Sequence, residues 1–236
     1  MTAQMQSWHN PTVYTYQQTI RQKIIGYDLI YDLMTNMLQN VPCKERMLIV
    51  GAGGGQELQT LGRTFPLTKF TAVDTSSSML QLAKQLINQL HLPLDIDWHS
   101  TDIHSLKIDE PFDIAVCHLV LHFLEGLDEK KALLKKIAES LKDGSVLFLS
   151  SINTDLTEPT FKQQLRHWQS SMLQNGISQH DWQRFEQSFG VTTHPINIET
   201  LVDLLHEVGF TTVIPYFKSH MIDAVIATKE HAKRGI

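Results

Sequence analysis

Between Arg46 and Ser151, short apolar runs alternate with stretches of helical period. "MLIV" reads as a buried strand, Glu57 to Arg63 as the start of a helix, and "KFTAVD" as a second strand. "SSSMLQLAKQLINQL" is a helix opened by a serine N-cap, since a short hydroxyl accepts well from the free N–H groups of a first turn. "LDIDWHS" alternates as a strand should and "FDIAVCHL" is a buried strand. "DEKKALLKKIAESLKDG" is an amphipathic helix closed by Gly144, and "SVLFLSS" is the strand after it. Parallel strands need crossovers, and helices supply them. The alternation therefore predicts an α/β, doubly wound, mostly parallel sheet with helices on both faces and right-handed connections. Ligands in such sheets sit beyond the carboxyl ends of the strands, where the strand order reverses.

The flanks add to this core. Ile20, Ile24, Tyr27, Tyr31 and Met34 keep helical spacing between Thr15 and Leu38, which predicts one or two helices with a break at Gly26. Residues 152–195 interrupt the rhythm with two helical patterns divided by Asn175-Gly176. So few residues would form a marginal core alone, so they are expected as an insertion. "NIETLVDLLHEVGF" is a helix ending at Gly209, and "TTVIPYFK" and "HMIDAVIATK" form a closing antiparallel hairpin, completing a sheet of seven strands. A single domain over 1–236 is expected: N-terminal helices over 1–40, a binding core over 46–151, a helical lid over 152–195, and a helix plus hairpin over 196–229.

Composition narrows the function classes. A 42% hydrophobic content is enough for one sizeable core, and a net charge of −5 supplies no basic field for nucleic acid or an anionic membrane. Cys43 and Cys117 offer neither a disulfide framework nor a metal-binding pair. The polar opening "MTAQMQSWHNPTVYTYQQ" lacks a signal core, and no apolar run nears the ~20 residues of a membrane helix, so a cytoplasmic protein is expected.

"RMLIVGAGGGQELQTLGRTF" places glycines at 51, 53, 54 and 55 directly after the first strand. Glycine is costly in ordered structure, so a cluster at a strand-to-helix turn suggests close approach to the backbone. The following helix adds free N–H groups and a positive dipole end. A dinucleotide loop would carry glycine at position 56, where this chain has Gln56. Asp74 ends the second strand, where a carboxylate can accept from two ribose hydroxyls, and Asp102 follows the third, where it can accept from an adenine amino group. Read alone, Asp74 could simply cap the next helix and Asp102 could be a turn residue. Together, three polar features at successive strand ends favour an adenosine-containing ligand.

"LIVGAGGGQEL", "AVDTSSSML", "TDIHSL" and "FDIAVCHLVLHFL" occur in the order and at the separations of the class I S-adenosylmethionine-dependent methyltransferases, which the chain resembles from Tyr27 to Lys229. The closing hairpin agrees with that family's antiparallel last strand. Ile49 departs from it, since many members carry an acidic residue there. The resemblance implies S-adenosyl-L-methionine as cofactor and S-adenosyl-L-homocysteine as product. It implies main chain at Gly51, Ala52 and Gly53 facing the methionine part, Asp74 on the ribose, and Thr75 and Met79 near the adenine. Asp102 and Ile103 would bracket the adenine edge, and His118 would lie beside the methionine end. The layout is similar to the carboxy-S-adenosylmethionine synthase group: "IRQKIIGY" resembles the segment that brings Tyr27 towards the cofactor there. However, Leu204 stands where that group has a carboxylate-binding arginine, and His118 replaces an asparagine.

Methyl transfer from a sulfonium is an in-line displacement that needs alignment and exclusion of water, with a base only if the acceptor must lose a proton early. His118 is the candidate base. His122 is a second candidate or a packing residue, and their spacing lacks the third ligand of a zinc site, so no metal is expected. "CHLV" differs from the Asn/Asp-Pro-Pro-aromatic motif of enzymes that methylate base amino groups. Arg166, Trp168, His180, Trp182 and Arg184 could line the lid over an acceptor, with His122, Trp168 and Trp182 as candidate substrate contacts. Lys130-Lys131 and Lys135-Lys136 are expected on the wet face of their helix. The expected function is methyl transfer to a small-molecule acceptor. The alternatives are carboxy-S-adenosylmethionine synthesis for tRNA modification, and a non-catalytic cofactor-binding protein. No membrane or nucleic-acid partner is expected, and the oligomeric state is open, a homodimer included.

Overall fold

The computed structural model describes residues 16–231, so the first fifteen residues of the polar opening stretch lie outside the described residues. Helix α1 (Tyr16–Lys23) is separated from α2 (Tyr27–Leu38) by Gly26, whose φ of 77° breaks the helix where the spacing predicted. Then follow β1 (Arg46–Val50), α3 (Gln56–Thr64), β2 (Lys69–Asp74), α4 (Ser77–Gln89) and β3 (Asp95–Ser100). Next come β4 (Phe112–His118), α5 (Gly126–Ser140) and β5 (Leu141–Ile152). The insertion is α6 (Phe161–Gln174) and α7 (Gln179–Ser188), and α8 (Ile198–Glu207), β6 (Phe210–Ser219) and β7 (Ile222–Lys229) close the chain. Ser76, Ser178 and Asn197 cap α4, α7 and α8 by accepting from Met79, Asp181 and Thr200 main-chain N–H groups.

The seven strands are ordered β3-β2-β1-β4-β5-β7-β6. The first five run parallel, and β7 is antiparallel to both β5 and β6. Successive side chains of β1 point to opposite faces: Met47 and Ile49 join one buried cluster, Leu48 and Val50 the other. The first face is covered by α2, α3, α4 and the insertion, the second by α5 and α8. Both faces are dry, which is why the parallel strands read as continuous apolar runs. The order reverses between β1 and β4, leaving a crevice beyond their carboxyl ends.

The helix expected to end at Gly144 stops at Ser140. Leu141 is buried and pairs with Phe112, so the sheet captures the chain three residues early. Gly144, at φ 73°, lies within β5 where its register with β4 shifts between Phe112 and Ile114. Lys130 also departs from expectation. It is 1% exposed, and its Nζ donates to the Leu121 carbonyl at 3.1 Å and to the Leu124 carbonyl, holding the turn after β4.

Candidate active site

At the end of β1 the chain turns so that Gly51 and Ala52 N–H groups both donate to the Val73 carbonyl, at 2.8 and 3.0 Å. Gly51 has φ 71°, and a Cβ there would stand 2.2 Å from Val120 Cγ2. Only glycine lets β1's turn pass under the turn after β4. At Gly55, φ 83°, a Cβ would meet Ala83 Cβ at 3.0 Å, so this glycine seats the loop on α4.

Asp74 ties the loop to the next strand. Its Oδ2 accepts from Gly53 N–H and its Oδ1 from Ser76 N–H, both at 2.8 Å. Burial raises its pKa, and these two N–H groups offset only part of that rise. A carboxylate has about four acceptor positions, so capacity remains after two are filled. Asp102 caps the 3₁₀ turn Ile103–Ser105 by accepting from His104 N–H at 2.8 Å. After β4, Leu119 sits at φ 57°, fixed by its N–H to the Ser150 carbonyl at 2.8 Å. A left-handed leucine is strained backbone, and such strain concentrates at functional sites.

These pieces enclose a hollow of about 590 Å³ beyond β1 to β4. Gly51, Gly53, Asp74, Thr75, Met79, Asp102, Ile103 and His118 all line it, with Gly53 and Asp74 side by side through their hydrogen bond. A smaller chamber of about 20 Å³ lies behind the glycine loop. It shares Tyr16, Gly51, Gly53, His118 and Leu119 with the hollow and adds Gln17, Tyr27, Tyr31, Ala52 and Glu57. Tyr27 and Ala52 thus border the chamber rather than the larger hollow.

Residues 48–147 match the family described as a methyltransferase domain. The carboxy-S-adenosyl-L-methionine synthase of Trichodesmium erythraeum is 25% identical over 189 residues, covering 79% of this chain and 73% of that protein. The malonyl-[acyl-carrier protein] O-methyltransferase of Priestia megaterium is 31% identical over 128 residues, covering 54% and 43%. An S-adenosylmethionine-dependent methyltransferase from Clostridium acetobutylicum has the same fold, with TM-score 0.67 at 15% identity over 92% of this chain and 99% of that one. These likenesses support a class I S-adenosylmethionine-dependent methyltransferase. It spans less than half the length of the Priestia megaterium methyltransferase.

The cofactor of this family is S-adenosyl-L-methionine, and the residues present fit it. The hollow is within the ~300–1,000 Å³ typical of ligand pockets. Bare main chain at Gly51 and Gly53 suits an amino-acid tail, and the carboxylates of Asp74 and Asp102 suit a diol and an amino edge, with Met79 and Ile103 as apolar walls for a flat ring.

The remaining expected contacts are placed differently. His118 does border the hollow, but its Nδ1 lies 3.0 Å from Ser150 Oγ and its Nε2 3.4 Å from Met34 Sδ. Burial lowers its pKa to about 3. His122 is buried, accepts from Ile152 N–H through Nδ1 at 3.3 Å, and is pushed down to about 3 by burial and then by Lys130. It does not line the hollow. Trp168 and Trp182 are each 1% exposed in the core and also stand apart from it. Trp168 donates its indole N–H to the Lys23 carbonyl at 2.7 Å and stacks on His220. No residue of 152–195 lines the hollow, so among the described residues the insertion is not a lid over it. It buttresses α1 instead, and α1 carries Gln17, whose Nε2 donates to the Gly54 carbonyl at 2.8 Å.

Sequence reasoning missed Glu57, Tyr31 and Gln17. An acidic residue in a first helical turn reads as an ordinary complement to the helix dipole, and Tyr31 reads as a core position. Nothing in the local pattern marks either as facing a chamber.

Proposed function

We propose that the protein transfers a methyl group from S-adenosyl-L-methionine to a small-molecule acceptor by in-line displacement. The observation that carries this is the convergence of Asp74, Asp102 and the glycine loop on one hollow at the reversal of strand order. Bound there, the cofactor supplies a methyl group on a positively charged sulfur. Asp74 accepts from the ribose hydroxyls and Asp102 from the adenine edge, while Ile103, Met79 and Thr75 flank the ring. Gly51 to Gly53 present main chain to the tail. His118 sits beside the methyl end as a neutral, packed imidazole that helps keep water out.

A base whose conjugate acid has a pKa of about 3 holds a proton weakly at neutral pH. The site is therefore suited to aligning a nucleophile that arrives unprotonated. Methyl transfer from labelled cofactor to a panel of carboxylic acids, phenols and thiols tests this. Labelled product is expected with at least one class, and His118→Asn should keep its rate within about tenfold. Tight cofactor binding with no transfer to any acceptor would leave a non-catalytic binding protein.

The carboxy-S-adenosylmethionine synthase reading has weaker support. Leu204 is 5% exposed within the core packing of α8, and no lysine or arginine is among the described residues lining the hollow. Incubation with prephenate should give no mass gain on the cofactor. Among the described residues no helix is long and apolar enough to cross a membrane. The unpaired Cys43 and Cys117 suit a reducing compartment, and we assign the protein to the cytoplasm.

A further inference from the structure

Glu57 stands in the first turn of α3, 6% exposed, and lines the chamber behind the glycine loop. A space of about 20 Å³ admits one group the size of a water molecule. An ammonium is that size. The Tyr31 hydroxyl donates to Glu57 Oε1 at 3.3 Å and lies 3.1 Å from the Tyr27 hydroxyl.

Among the described residues, the groups facing Glu57 supply no positive charge. Tyr16 of α1, Tyr27 and Tyr31 of α2, and Tyr216 of β6 are phenols held above their ordinary range by burial. Cys117 of β4 is pushed up to about 12, and the neighbouring His118 is neutral. Asp74 of β2 adds negative charge. Arg21, the cation α1 brings to the start of α3, is spent on Asp28 at 2.8 Å and on Gln56 Oε1 at 2.8 Å. A buried carboxylate with no cation is expensive to ionise. Burial accordingly lifts Glu57 to about 7.

We propose that Glu57 is the counter-charge for the α-ammonium of the cofactor's amino-acid tail, and that it releases a proton as that group enters. The inference rests on the cofactor site proposed above. No covalent bond of the ligand changes: the carboxyl proton goes to solvent and the ammonium sits beside the resulting carboxylate. The sign follows from the acid's raised pKa. Below about pH 7 the free protein holds the proton and the complex does not, so binding strengthens as pH rises towards 7 and levels off above it.

Calorimetric titration of the full chain in buffers of different ionisation enthalpy reads the proton directly. Three probes are used: S-adenosylhomocysteine, S-adenosylmethionine, and methylthioadenosine, which keeps the nucleoside but lacks the amino-acid tail. At about pH 6 the first two should each release about one proton, and at about pH 8.5 almost none. Methylthioadenosine should release none at either pH. Glu57→Gln should weaken S-adenosylhomocysteine about 10- to 100-fold at the higher pH and leave methylthioadenosine within about twofold, which also certifies that the variant is folded. Unchanged affinity in Glu57→Gln, or no proton release by the wild type at the lower pH, would overturn the inference while the cofactor site stands. Release by S-adenosylmethionine alone would overturn it too, placing the sulfonium at Glu57. Failure of all three probes to bind would remove the cofactor site and the inference with it.

Discussion

At Gly51 one hydrogen atom decides whether two turns can cross. Gly51→Ala would drive a methyl group into Val120 at 2.2 Å on backbone already at φ 71°. We expect it to destabilise the fold by about 1–3 kcal/mol and to abolish measurable cofactor binding. Pairing it with Val120→Ala should recover part of the stability in chemical denaturation, since the clash is relieved while the φ cost stays. Asp74 is the other residue with two tasks, holding Gly53 and Ser76 N–H groups while lining the hollow. Asp74→Ala leaves those donors unpaired and should weaken S-adenosylhomocysteine about 10- to 100-fold. Asp74→Asn, which keeps an acceptor oxygen, should lose less. Asp74 and Asp102 were legible because their positions at strand ends are fixed by the alternation itself. Trp168 and Trp182 were not, because an aromatic at helical spacing looks the same whether it packs inward or faces a ligand.

At the scale of elements, α1 is what stands over the glycine loop, and the insertion stands behind α1. Trp168 and Asn175 donate to the Lys23 and Gln22 carbonyls at its carboxyl end, and Gln17 donates to Gly54. Trp168→Phe keeps most of the packing and deletes one buried hydrogen bond. It should cost about 1–3 kcal/mol and raise amide exchange in 16–23 more than in β1. Protection of 16–23 equal in Trp168→Phe and wild type would mean that α1 is held by other contacts. Strands and helices of the core were readable from period alone, since β1, β2, β4 and β5 are buried on both faces. The end of α5 was not. The glycine signal at 144 marks a bend inside β5, and only pairing with β4 shows that Leu141 already belongs to the sheet.

For the whole molecule, buried ionisable groups shape stability against pH. His118 and His122 fold with pKa values of about 3 against an ordinary 6.5. Their stabilising contribution is present above 6.5 and is lost as pH falls towards 3, because the unfolded chain binds the protons first. Glu57 acts in the opposite sense: raised from 4.5 to about 7, its contribution is present below 4.5 and lost as pH rises through 7. Between these limits two histidine protons are set against one glutamate proton, so denaturation should take up about one proton per molecule from these groups, and about two below 4.5. Glu57→Gln should therefore gain up to about 3 kcal/mol relative to wild type between about pH 4.5 and 8.5. A difference that does not change with pH would show that Glu57 is not buried as described.

The topology was legible as a whole because crossovers, handedness and the closing hairpin leave few ways to order these strands. The relation of the insertion to the hollow was not, since it depends on contacts between segments more than a hundred residues apart, such as Trp168 with Lys23. The most direct measurement is calorimetric titration of S-adenosylhomocysteine into the wild-type chain and into Asp74→Ala and Asp102→Ala. Saturable binding at one site, weakened in both variants, is the expected result. No binding to the wild type, or binding that both substitutions leave untouched, would mean that the hollow beyond β1 and β4 is not where the cofactor sits.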